Sequence, residues 1–198
     1  MLARPPVPPL TGLVLAGGAS VRMGADKAWL TVGDRPLIHR AVDVLGEICV
    51  EVLVASGSSR RLAGVTARQV ADAVQNSGPL GGILAGLQAS PTPLMAVVAV
   101  DMPFASTAVL ALLVELAVTS TAAVVAPVAD GRLQPLHAVW AVRGAPALQR
   151  RLRNGQRSVT AAAEAVGVYR VPERLWRPAD PTGRFARNVN RPDDLLLD

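Results

Sequence analysis

A three-layer α/β/α fold with a mostly parallel central sheet is what this sequence predicts, on three observations. Short apolar runs alternate along the chain with longer segments of helical spacing. Several of those runs are apolar at every position, Leu94–Val100 (LMAVVAV) most clearly, as in strands covered by helices on both faces. Hydrophobic residues make up 51% of the chain but aromatic ones only 3%, so the core must be assembled from Val, Leu and Ala.

The elements follow in order. Residues 1–9 (MLARPPVPP) read as a flexible lead-in, and residues 10–198 as a single domain of ordinary size. Gly12–Ala16 is a buried strand that runs directly into the turn Gly17-Gly18. Pro36–Leu45 (PLIHRAVDVL) has helical spacing, and Val50–Ala55 is a second strand ended by Ser56-Gly57. Pro79–Ala89 is a helix entered through glycine, Leu94–Val100 a strand, and Ser106–Val118 a helix with a serine at its start. Ala122–Val128 and Leu136–Val142 read as strands and Ala145–Leu152 as a helix. Sheets of this kind bind ligands at the carboxyl ends of their strands, and Gly17, Gly18, Ser56 and Asp101 all fall there.

Composition excludes several classes of function. The net charge of +5 invites a nucleic-acid reading, but the basic residues are scattered arginines with one cluster (Arg150, Arg151, Arg153, Arg157) and no interleaved aromatics. An arginine-lined pocket for phosphorylated ligands suits the same balance. Cys49 is the single cysteine, so no internal disulfide forms and a reducing compartment is expected; in the apolar stretch Ile48–Val54 it reads as a packing residue. The start MLARPPVPPL has no apolar run of signal-peptide length, and Ala105–Val118 is too short and too interrupted by Glu115 to span a bilayer. A cytoplasmic protein is expected, with neither nucleic acid nor membrane as partner.

The densest chemistry lies in Leu13–Leu30, LVLAGGASVRMGADKAWL. Directly behind a strand, Gly17 and Gly18 can expose backbone amides to phosphate oxygens. Arg22 and Lys27, the chain's only lysine, add positive charge. Gly24 is followed by Ala25, so this is not a Walker loop, and GxGxxG spacing is absent. Two further features stand on the same edge. Ser77-Gly78-Pro79-Leu80-Gly81-Gly82 is a flexible entry to a helix N-terminus, where unpaired amides favour an anion or a base edge; close helix packing is the plainer alternative. Asp101, in Ala99-Val100-Asp101-Met102-Pro103, ends the most buried strand, where a carboxylate needs a cation or solvent. Magnesium takes one or two carboxylates and fills the rest of its shell with phosphate oxygens and water. A helix N-cap is the alternative role for Asp101.

The run L-A-G-G-x-S-x-R-M-G-x-D-K resembles the signature of the molybdenum cofactor nucleotidyltransferases, and the guanylyltransferase branch in particular; the cytosine branch usually has Ala at the position of Gly17. The resemblance runs from Leu13 to Leu195. It implies an α/β, three-layer αβα Rossmann-like nucleotidyltransferase fold with a mostly parallel central sheet. It further implies transfer of GMP from GTP to the terminal phosphate of molybdopterin, with release of pyrophosphate and with Mg2+ as cofactor. By the same resemblance Leu15, Ala16, Gly17, Gly18, Lys27, Asp72, Gly78, Pro79 and Asp101 bind the nucleotide, Asp101 holds the metal, and Arg22, Lys27 and Asp101 act in catalysis. Arg157 in Asn154–Ser158 (NGQRS), and Asn188 and Asn190 in NVNRPDDL, are the implied contacts to the pterin substrate. Arg191 stands where the family usually has Thr, and Ser56 where it often has Asn. An Asx turn leading into a Pro-started helix is the plainer reading of the last segment. Molybdenum insertion proteins and molybdoenzyme apoproteins are the implied partners.

An attacking phosphate is already anionic, so the want of a His or Glu among these motifs fits direct displacement. His39 and His137 read as packing or surface residues, and no His/Cys cluster has zinc spacing. Two alternatives remain open from sequence: a CTP-dependent molybdopterin cytidylyltransferase or other nucleotidyltransferase, and a non-catalytic GTP- or cofactor-binding carrier.

Overall fold

The computed structural model describes residues 8–17, 27–57, 62–74 and 76–189. Strand β1 (Leu10–Leu15) leads by way of the short hairpin β2 (Thr31–Val32) and β3 (Arg35–Pro36) to helix α1 (Leu37–Gly46). Next come β4 (Glu51–Ala55), β5 (Arg68–Val70), α2 (Pro79–Ala89), β6 (Leu94–Ala99) and α3 (Thr107–Thr119). The remainder is β7 (Val124–Ala129), β8 (Arg132–Leu133), β9 (His137–Ala141), α4 (Ala145–Arg153), α5 (Val159–Val166), β10 (Val168–Val171) and α6 (Glu173–Trp176).

Among the described residues the main sheet has the order β10-β7-β9-β6-β1-β4-β5, with β8 attached to β7. All neighbours on this path pair in parallel except β9, which runs antiparallel between β6 and β7. Strict alternation along the central strands makes the three layers. Leu10 and Val14 of β1, with Leu94, Ala96 and Val98 of β6, face α1, α3 and Trp176 of α6. Leu13 and Leu15, with Met95 and Val97, face α2, α4 and α5. Each fully buried aliphatic side chain contributes roughly 1.5–3 kcal/mol, and the few aromatic side chains in the core, Trp140, Trp176 and Phe185, sit around β7 and β9.

The helices start where local chemistry allows. Ser106 Oγ accepts the Val109 amide at 3.2 Å and caps α3, and Ser158 Oγ accepts the Ala161 amide at 3.2 Å and caps α5. α1 buries Leu37, Ile38, Ala41 and Leu45, the helical stripe read from the sequence. α2 lies so close to the sheet that a Cβ at Gly86 would come within 2.7 Å of a Leu13 methyl. The strands β5 and β10 and the helix α5 carry no strong sequence signal of their own, being short or alanine-rich.

The connection from β1 through α1 goes to β4 on one side, and the connection from β5 through α2 returns to β6 on the other side of β1. The crevice beyond the carboxyl ends of β1 and β6 is therefore the switch point of the sheet, where ligands of open α/β sheets bind.

Candidate active site

Leu15 of β1 stands in register with Ala55 of β4 and Ala99 of β6, so the three strand exits open side by side. Ala16 continues the ladder, donating its amide to the Ala55 carbonyl at 2.9 Å, and the Val100 amide reaches the Leu15 carbonyl at 3.0 Å. Gly17 then passes against the Ser56-Gly57 turn. A Cβ on Gly17 would lie 2.5 Å from the Gly57 nitrogen and 2.7 Å from its Cα, both backbone atoms that cannot swing aside. Only glycine fits there without moving the exit of β4.

Asp72 joins the same corner from beyond β5. Its amide donates to the Gly57 carbonyl at 2.9 Å. The point where a Cβ of Gly82 would stand lies 3.4 Å from Asp72 Oδ1 and 2.9 Å from both the Ala55 Cβ and a Leu15 methyl. Burial raises the Asp72 carboxyl above its ordinary pKa. Gly78, at φ +63°, turns the chain into α2, and Pro79 occupies the first helical turn, where its missing N–H is harmless. Gly78 and Pro79 are exposed at the start of a helix without a side-chain cap, and the Gly81 amide donates to the Gly78 carbonyl at 3.1 Å, so α2 turns its amino end toward this edge.

Asp101 follows β6 by two residues. Burial raises its carboxyl above its ordinary pKa; the Lys27 ammonium and its own backbone amide pull partly back. Lys27 opens the short 3-10 turn Lys27–Trp29, so the basic end of the glycine segment returns to the carboxylate. The capping role open to Asp101 is filled by Ser106 instead. A half-buried carboxylate beside the Lys27 ammonium suits a hard cation whose other ligands are phosphate oxygens and water. Among the described residues no group of three or more His, Cys, Asp or Glu could hold a metal by itself.

The C-terminal segment reaches the same place. The Val189 amide donates to the Asp101 carbonyl at 2.8 Å, so the exposed Asn188 stands next to the strand exit of β6. Arg157 is placed by topology. The approach to α4 is tied to the amino end of β6 by the Val142 amide on the Pro93 carbonyl at 2.9 Å, and the end of α5 to the amino end of β7 by the Ala123 amide on the Gly167 carbonyl at 3.0 Å. The loop joining the two packed helices, with the exposed Arg157, therefore lies on the carboxyl side of the sheet. Gly18, Arg22, Asn190 and Arg191 lie outside the described residues.

A cavity of about 580 Å³ opens on the α1 and α3 side of the Asp101 turn, between Arg40, Phe104 and Arg184, and its described lining includes Pro103 and Ser106 but none of the candidate nucleotide, metal or pterin contacts. Cys49 packs beside Gly12 and Leu45; burial pushes its thiol up to about 12, so it is no nucleophile at neutral pH. His39 meets the edge of Trp29 at 5.7 Å. What the motifs did not disclose is the Ser56-Gly57 turn as the wall against Gly17, and His137 beneath the Asp101 turn. The first could be suspected from a glycine directly after a strand; the second has no local signal.

Known proteins are similar to this chain in sequence and fold. The MobA-like NTP transferase domain model matches residues 12–166. A protein of Chloroflexus aggregans named probable molybdenum cofactor guanylyltransferase is 38% identical, over 95% of this chain and 92% of its own. One of the same name from Mycolicibacterium paratuberculosis is 36% identical, over 94% and 93%. The crystal structure of molybdopterin-guanine dinucleotide biosynthesis protein A from Archaeoglobus fulgidus superposes with a TM-score of 0.81 at 25% identity, covering 94% of this chain and 95% of that one. In fold alone, 2-C-methyl-D-erythritol 4-phosphate cytidylyltransferase from Thermus thermophilus is similar, with a TM-score of 0.67 at 20% identity over 93% and 95% of the two chains. A switch-point crevice on this frame is that of a nucleotidyltransferase. The chain belongs to the MobA-like NTP transferase family, and the relatives just described carry the name of its molybdenum cofactor guanylyltransferases.

Proposed function

We propose that this protein transfers GMP from GTP to the terminal phosphate of molybdopterin, forming the guanine dinucleotide cofactor and pyrophosphate. The observation that carries this reading is the likeness, over nearly the whole chain, to relatives named for that activity. The geometry supports it. The strand exits of β1 and β6 set the Gly17 backbone and Asp101 side by side, and the segment bearing Asn188 is bonded to the Asp101 backbone carbonyl through the Val189 amide.

A phosphate oxygen of the pterin attacks the α-phosphorus of GTP; the new P–O bond forms as the bond to the β-phosphate breaks, and the electron pair leaves with pyrophosphate. Gly17 and the entry of α2 hold the nucleotide through backbone amides, with Leu15, Ala16, Gly18, Asp72, Gly78 and Pro79 shaping the same cradle. Lys27 and Arg22 offset charge on the departing pyrophosphate. Arg157, Asn188 and Asn190 orient the pterin phosphate for in-line approach. Asp101 is the metal ligand. Magnesium, when bound there, supplies charge neutralisation on the phosphate oxygens. No protein nucleophile and no general base are required.

Residues 10–198 act as one nucleotidyltransferase domain, supported by the main sheet with a core on each face. Proteins that insert molybdenum and apoproteins that take up the finished cofactor are the expected partners, because the product is consumed by other enzymes. The cytoplasm is the expected compartment, supported by the lone, inert Cys49; no helix among the described residues is long and apolar enough to cross a membrane. The test is pyrophosphate release from purified protein with Mg2+, molybdopterin, and GTP or CTP in parallel. Release with GTP alone is expected. Release with CTP alone would move the chain to the cytidylyl branch, and GTP binding without release would make it a carrier.

A further inference from the structure

His137 is the one fully buried imidazole among the described residues, and the transfer chemistry makes no use of it. It opens β9, directly opposite Val98 of β6. From there its Nε2 accepts the backbone amide of Ser106 at 3.1 Å. Ser106 is the far end of the turn that begins at Asp101, and it caps α3. The near end is held by the Met102 amide on the Ala99 carbonyl at 3.1 Å, and Asp101 itself by the Val189 amide. The same imidazole lies 4.7 Å from the ring of Phe185, which in turn meets Trp176 at 4.9 Å. One side chain thus touches both the turn that carries Asp101 and the segment that leads to Asn188.

The protonation state follows from the geometry. An amide that donates to Nε2 requires that nitrogen to be unprotonated, which places the single proton on Nδ1. Burial, which lowers the imidazole pKa to about 4, and the adjoining N-terminus of α3 both oppose a second proton. Nδ1 faces the residue's own backbone carbonyl, in a contact short of a full hydrogen bond. A buried donor so weakly partnered gains little, so packing alone does not call for an imidazole at this position. What the imidazole adds over an apolar side chain is the bond to Ser106.

We propose that His137 is a positioning residue, whose Nε2 fixes the Asp101–Ser106 turn and, through Phe185, holds the acceptor-side segment in register with it. The proposal rests on the guanylyl-transfer reading for its kinetic consequence, and on the geometry alone for its tautomer. His137→Phe keeps an aromatic ring against Phe185 and removes the acceptor; His137→Gln restores an acceptor oxygen near the place of Nε2. The Phe variant is expected to lose on the order of tenfold to 10²-fold in kcat, the scale of a small misplacement of a catalytic group. Its KM for GTP should stay within about twofold, because the glycine loop and the entry of α2 are untouched, and the Gln variant should recover most of the loss. A folded Phe variant with wild-type kcat, or a folded Gln variant as slow as Phe, overturns the proposal.

Should either variant fail to fold, 15N NMR of the wild-type imidazoles decides. The chain has only two histidines, so one His39 variant assigns both. A proton on Nδ1 of His137 supports the proposal and a proton on Nε2 overturns it. If the wild-type protein transfers no nucleotide, the functional reading has failed and the NMR result still stands by itself.

Discussion

The two halves of the site are held in different ways. The half proposed for the nucleotide, at the exits of β1 and β4 and the entry of α2, is built from residues that directly follow a strand or precede a helix. Gly17 comes two residues after β1, and Gly78 immediately before α2. The half proposed for the acceptor, with Asn188 and Arg157, is held by contacts between residues far apart in the chain, such as Val189 on Asp101 and His137 on Ser106. The difference teaches that the first half is a property of strand ends, and the second a property of how the C-terminal third is folded back on them. Asp101 belongs to both, since its carboxylate follows β6 and its carbonyl receives the tail.

Substitutions can break or sharpen that contrast. Asp101→Asn has the largest expected effect, a loss of roughly 10²–10³-fold in turnover, and it should also change stability in the opposite sense. Burial raises the folded-state pKa of Asp101 above its ordinary 3.8. The folded chain therefore keeps the proton longer than the unfolded one, so stability falls as pH rises from 3.8 through the folded pKa and is level above it. At pH 7 removal of the charge should raise the melting temperature of the ligand-free protein, by about 2–4 °C for each kcal/mol relieved. A melting temperature that falls would show that Asp101 is well compensated in the empty site.

Gly17→Ala tests the nucleotide half alone. The added methyl forces the Ser56-Gly57 backbone away, and roughly tenfold to 10²-fold of kcat/KM for GTP should be lost with KM for the pterin unchanged. Asn188→Ala tests the acceptor half alone. Loss of one polar contact to an anionic group is worth about 1.5 kcal/mol or more, roughly tenfold, and it should appear in the pterin KM and spare that for GTP. If both substitutions move both constants equally, the division into halves is wrong. Ser106→Ala is the mildest. It removes the cap of α3, worth about 1 kcal/mol, and should lower the melting temperature by about 2–4 °C with little effect on turnover, because the Ser106 amide that meets His137 remains.

The same contrast explains what could be read from the sequence. β6, α1 and α2 announce themselves through unbroken apolar runs or helical spacing, and the motif residues attached to them fall where strand-end logic puts them. β5 and β10 are three- and four-residue edge strands with exposed positions, too short to show a period. The antiparallel direction of β9 depends on which neighbours it finds, β6 and β7, and no local pattern records that. Arg157 and Asn188 could be named only through resemblance, because their approach to the site is set by long-range backbone bonds. His137 looked like a packing residue, and it is one; its bond to Ser106 joins positions 31 residues apart.

Transfer of label from GTP tests the central claim most directly. With GTP labelled at the α-phosphorus, Mg2+ and molybdopterin, the wild-type protein should move the label into a pterin–guanine dinucleotide, and folded Asp101→Ala should move almost none. A wild-type protein that leaves the label in GTP, or an Asp101→Ala variant that transfers it at the wild-type rate, would contradict the account.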